Sequence, residues 1–209
     1  MNFTLSQRKA RHTAFTLVEM LVVVGIIGLL LALGTPYMVG ALQANRLTTA
    51  GEEMMFKISS AQQIAMSENR SVELRLYSYS HEGGPEQIHS YQLFLQGKEG
   101  QESKAIESAT DLTTKGVAIA AGSLSPLSAA SNFGSGWPKT ATGEPWTSKN
   151  AKFVAVMFNP DGSTNINAPL RTSYLTMVSD GDTENTSPAN FYTVQIDPIT
   201  GRAKSYRPN

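Results

Sequence analysis

The chain has 209 residues, with 17 Lys and Arg balanced by 17 Asp and Glu, three His and no Cys. The absence of Cys excludes thiol catalysis, disulfides and thiolate metal sites. No basic run is dense enough for nucleic acid, so no nucleic-acid partner is expected.

The charge is unevenly placed. Residues 1–14 hold Arg8, Lys9, Arg11 and His12 without an acidic group, and the remainder carries net −3. From Phe15 to Leu33 the only polar side chains are Thr16 and Glu19. As a helix rising ~1.5 Å per residue, this stretch is about 28 Å long, close to the ~30 Å hydrocarbon core of a bilayer. A basic lead before an apolar run predicts a cytoplasmic lead and a body outside, hence a single-pass inner-membrane protein. Glu19 is the anomaly. At a bilayer centre a carboxylate costs roughly 2.5–3.5 kcal/mol, so a chain that keeps one is expected to supply a partner for it.

The residues Phe15, Thr16, Leu17, Glu19, Met20 and Leu21, with the Val/Ile/Leu stretch to Leu33, resemble the cleavage and methylation segment of type IV prepilins and type II secretion pseudopilins. The resemblance implies a prepilin peptidase that cuts between Ala14 and Phe15 and methylates the new amine of Phe15. It also implies assembly with other pilin or pseudopilin subunits, in which Glu19 neutralises the terminal amine of a neighbour. The family usually has Gly before the cut; Ala14 keeps a small residue there, and slower processing is expected. The physics is compatible, because a cut before Phe15 leaves an ammonium one helical turn from Glu19. Helix N-terminal amides favour a negative charge there by ~0.3–1 kcal/mol. Two other readings stay open: a secretory signal ending at Ala32-Leu33-Gly34, and an uncleaved signal anchor. The mature N-terminus (Phe15, Thr35 or Met1) separates the three.

The expected organisation is a leader at 1–14, a membrane and filament-core helix at 15–38, and an extracytoplasmic domain at 39–209. Pro36 removes a backbone donor and crowds the preceding turn, so a kink is expected there. Over 39–67 the apolar residues Ala50, Met54, Ile58, Ala61 and Ala65 recur at helical spacing, broadened by Leu47, Met55 and Ile64. This predicts an amphipathic helix laid on a core. Beyond it, over 71–207, the period becomes two. Val72, Leu74 and Leu76 alternate with Glu73, Arg75 and Tyr77, and Ile88 to Leu95 follows the turn His81–Pro85. Further strands are expected at Val117–Ile119, Lys152–Phe158, Ser173–Val178, Phe191–Ile196 and Ala203–Tyr206. Residues 122–150, rich in Ser, Gly, Pro, Ala and Thr, read as a long surface loop pinned by Trp137 and Trp146. The fold class is α+β, a long N-terminal helix on an antiparallel sheet laid out as a meander, in a pilin-like arrangement.

Phe158-Asn159-Pro160-Asp161-Gly162-Ser163 and the later Thr200-Gly201-Arg202 resemble H-type minor pseudopilins. The overall layout is also similar to pilin-like proteins of the Verru_Chthon cassette, D type. No catalytic constellation stands out, and no enzyme activity is expected. His81 and His89 flank a hairpin turn and read as solvated. No cofactor or metal is expected, with one weak exception: Asp180, Asp182 and Glu184 alternate in a loop and could present oxygens to Ca²⁺. A competing class is a secreted or membrane-anchored binding or enzymatic domain that uses the apolar segment only for targeting.

Overall fold

The computed structural model describes residues 15–98, 101–182 and 188–208, and in 34–39 the backbone without the side chains. The leader, including Ala14, lies outside the described residues, as do Glu184 and the side chain of Pro36 on which the expected kink depends. Helix α1 runs from Leu17 to Glu68. The chain divides into two units, one ending at Leu42 and one beginning at Gln43.

The first unit is the stem. Its large apolar side chains from Leu17 to Leu33 are all exposed, between 45% for Val23 and 81% for Leu17. Among the described residues no helix is long and apolar enough to cross a membrane.

In the second unit α1 is amphipathic as its periodicity predicts. Leu47, Ala50, Met54, Ile58, Ala61 and Ala65 are fully buried, while Met55 and Ile64 pack at the margin. Full burial of a Leu, Ile or Met stabilises by roughly 1.5–3 kcal/mol, which fixes this face to the sheet. The helix ends where Asn69 turns left-handed (φ 49°) and Arg70 N–H donates back to Ala65 O at 3.1 Å. Asn tolerates that conformation better than most residues do.

The strands are β1 (Val72–Ser80), β2 (Glu86–Leu95), β3 (Lys104–Ala105), β4 (Thr110–Asp111), β5 (Val117–Ile119), β6 (Lys139–Thr140), β7 (Lys152–Phe158), β8 (Tyr174–Ser179), β9 (Tyr192–Ile196) and β10 (Ala203–Tyr206). They form one antiparallel sheet in the order β10-β9-β8-β5-β2-β1-β7-β6, with β3 and β4 also paired to β2. The layout is therefore α+β, but it is not the expected meander. β7 returns to the far side of β1, and β8 crosses to pair with β5. Alternation along a strand decides which face each side chain takes and leaves the choice of partner strand open.

One face of the sheet carries the main core: Val72, Leu74 and Leu76 of β1, Leu93 of β2, Val154 and Val156 of β7, and Val194 and Ile196 of β9, packed with the buried face of α1. On the other face Tyr77, Tyr79 and Phe153 form a second cluster with Ala141, Trp146 and Ala151. Segment 122–150 is folded: its first part packs on the main core through Leu127 and Phe133, and its second part covers the other face through Ala141 and Trp146. It contains three short 3-10 turns and β6, and it buries Leu127, Phe133, Ala141 and Trp146. Trp146 stacks on Tyr77 with ring centroids 4.0 Å apart and planes 3° from parallel, and Trp137 meets Phe153 edge-on at 5.7 Å. A polar composition conceals such a cover, because a few aromatic anchors supply its burial.

Candidate functional site

Glu19 lies in the first turn of α1, where its carboxylate belongs to a reciprocal cap with Thr16. Thr16 N–H and Thr16 Oγ1 each donate to Glu19 Oε2 at 2.9 Å, and Glu19 N–H donates to Thr16 Oγ1 at 3.2 Å. This is a capping box, in which the side chains of the N-cap and third helical residues satisfy each other's backbone donors. Thr-x-x-Glu before an apolar run carries that signal in the sequence. Within a single chain the first partner of Glu19 is Thr16. Phe15 precedes the cap and is 70% exposed.

At the other end of α1 the two segments with H-type resemblance lie side by side. The turn after β7 is built around Asp161, whose Oδ1 accepts from Ser163 N–H at 2.9 Å and Ser163 Oγ at 2.7 Å. Those bonds hold its carboxyl below the ordinary range. Gly162 takes φ 86°, as the turn requires. Asn159 Oδ1 accepts from Ser71 Oγ at 2.8 Å, tying this turn to the start of β1. Thr164 Oγ1 donates to Pro198 O, and Gln62 Nε2 of α1 donates to Thr200 O at 3.0 Å. In the second turn Asp197 Oδ1 accepts from Ile199 and Thr200 N–H, which lowers its pKa.

Of the three acidic candidates for calcium, Asp180 and Asp182 are described and Glu184 lies outside the described residues. Asp180 and Asp182 sit on a short 3-10 turn after β8. Among the described residues no group of three or more His, Asp or Glu is arranged to hold a metal ion. Asp180 lies beside a histidine, with Oδ1 3.8 Å from His89 Nδ1.

His89 corrects the expectation of a solvated turn residue, since it is only 2% exposed. The reason is a bulge: Tyr77 pairs with Ser90 and Ser78 with Ile88, so His89 is the extra residue in the ladder. Bulges of this kind re-aim a side chain. A pocket at this end of the β1–β2 hairpin is lined by His81, Glu82, Gln87, His89 and Asp180, among others.

Residues 9–35 match the family model of the prokaryotic N-terminal methylation motif. The match covers Ala14, Phe15, Thr16 and Glu19, so the chain carries a prepilin-type cleavage and methylation segment. No curated protein and no solved structure matches the chain.

Proposed function

We propose that this chain is the precursor of a pilin-like structural subunit, and more narrowly a minor pseudopilin of a type II secretion or type IV pilus-like assembly. The observation that carries this reading is the methylation motif at 9–35, within which the large apolar side chains from Leu17 to Leu33 are all exposed. An apolar surface of that extent calls for lipid or for neighbouring stems to cover it. A prepilin peptidase cuts between Ala14 and Phe15 and methylates Phe15. The subunit waits as a single-pass protein of the inner membrane, its domain outside, until it enters the fibre. It is a substrate of the processing enzyme and has no catalytic activity of its own.

Glu19 is the assembly contact in this reading. A carboxylate moved into an apolar bundle needs a cation, and the amine created at Phe15 of a neighbouring subunit supplies one. Thr16 orients the carboxylate for that encounter through the two bonds it makes to Oε2. The adjacency of the Asn159–Ser163 turn and the Asp197–Arg202 turn supports the H-like assignment, because both segments of that resemblance meet at one end of α1.

The test is site-specific crosslinking between subunits in membranes that contain the processing and assembly machinery. Glu19→Ala chains are expected to be trimmed normally yet crosslink to neighbours only at background. Crosslinking at the wild-type level would remove Glu19 from this role.

A further inference from the structure

The sheet is narrowest where β2 meets β5. Their pairing rests on Ile88 opposite Ile119, although β5 pairs with β8 over Val117 to Ile119. This seam joins the β8–β10 ribbon to the β1–β2–β7 group. Two further bonds reinforce it, Leu112 N–H to His89 O at 2.8 Å and Ala121 N–H to Gln87 Oε1 at 2.6 Å, while Asp180 N–H to Gly116 O at 3.0 Å extends the β5–β8 ladder beside it.

His89 adjoins Ile88 at this seam. Its ring is buried, and Nδ1 makes no hydrogen bond. The groups facing it come from several elements. Asp180 follows β8 and His81 lies in the hairpin turn, its ring centroid 5.6 Å away. Tyr79 of β1 places its ring at 5.1 Å. Asp111 of β4 and Lys149 of the cover act from farther off and lie 3.8 Å from each other. Asp180 and Asp111 favour a charged imidazole, whereas His81 and Lys149 disfavour it.

We propose that His89 is a proton-operated latch: charging it in mildly acidic surroundings loosens the seam between the β8–β10 ribbon and the rest of the sheet. A buried imidazolium must regain solvent or a closer carboxylate, and either requires the bulge or the 180–182 turn to move. Burial is the largest influence on its titration and holds His89 below its ordinary value of 6.5, against the pull of Asp180. The unfolded chain therefore takes up the proton first. The latch is fully closed above the unfolded value and weakens as pH falls from there to the folded value.

The test uses the full chain in detergent micelles. Histidine ring NMR follows the titration of His89, and amide hydrogen exchange corrected for intrinsic rates follows Ile88, Leu112 and Val117–Ile119. His89 is expected to titrate below its ordinary value, and exchange at those amides to rise by up to about tenfold for each unit that pH falls between the unfolded and the folded value, the change that one proton per opening produces. In His89→Gln the rise disappears, and in Asp180→Asn the transition moves to lower pH. If His89→Gln does not fold, the wild-type ring titration and exchange still decide the matter together. Titration at or above the ordinary value overturns the proposal, as does exchange that is flat between the unfolded and the folded value or rises equally in His89→Gln.

Discussion

Gly51 of α1 and Tyr192 of β9 interlock: a Cβ at Gly51 would collide with the Cγ, Cδ1 and Cε1 atoms of the Tyr192 ring. Glycine inside a helix costs about 0.5–1 kcal/mol relative to Ala, so this one is explained by the ring rather than by helix propensity. Gly51→Ala is therefore expected to destabilise, by about 1–3 kcal/mol of overpacking set against that smaller propensity gain. Thermal unfolding measures the net loss. Tyr192→Leu in the same chain should restore part of it, and an Ala variant more stable than wild type would refute the packing account.

The cover over the second face depends on few anchors. Trp146 is 8% exposed and stacked on Tyr77, with the Lys149 ammonium 5.8 Å from its ring centroid. Trp146→Ala should cost about 3 kcal/mol or more and raise proteolysis within 137–151 first. Trp146→Phe should cost less. Limited proteolysis that leaves this segment as protected as in wild type would show that the cover holds without the stack.

Asp161 and Asp197 make the acid side of the stability profile testable. Both carboxyls are held below their ordinary value of 3.8 by hydrogen bonds, Asp161 by Ser163 and Asp197 by Ile199 and Thr200. The unfolded chain therefore binds these protons first. The contribution is present above about pH 4 and fades as pH falls through the folded values. Asp161→Asn and Asp197→Asn should each flatten the loss of thermal stability below that pH and leave the neutral plateau lower. A slope unchanged in both variants would contradict this assignment.

Much of this arrangement was legible in the residues. The stripe through Ala50, Met54, Ile58, Ala61 and Ala65 gave the buried face of α1, since helical period alone decides which side chains share a face. The alternation Val72, Leu74, Leu76 likewise placed β1 with its apolar side on the core. Partner choice was not legible, because nothing local tells β7 to pair with β1. Two-residue strands such as β3, β4 and β6 are too short to show any period. His89 escaped because a bulge is a relation between two strands, invisible in either one. At the N-terminus the Thr16–Glu19 box is legible from the spacing of the two residues, which the charge of Glu19 alone does not reveal.

That box yields its own prediction. Thr16→Val keeps the volume but removes the hydroxyl, and loss of an N-cap typically costs about 1 kcal/mol of helix stability. Hydrogen exchange at Glu19 and Met20 should increase, with cleavage after Ala14 retained and crosslinking to neighbours weakened. Crosslinking at the wild-type level would separate Thr16 from any role in orienting Glu19.

Ala14 bears on processing itself. In a strain with the peptidase, Ala14→Gly should speed trimming of the leader, followed as the mass shift of the chain over a time course. Equal rates for the two residues would show that a small side chain is all the site requires.

The most direct measurement is mass spectrometry of the intact chain recovered from native membranes. A product that begins at Phe15 and carries one additional methyl group at its amine is the expected result. A product beginning at Thr35 would lack Glu19 altogether, and an uncut chain beginning at Met1 would leave Glu19 without its cation; either would contradict the fibre-subunit account.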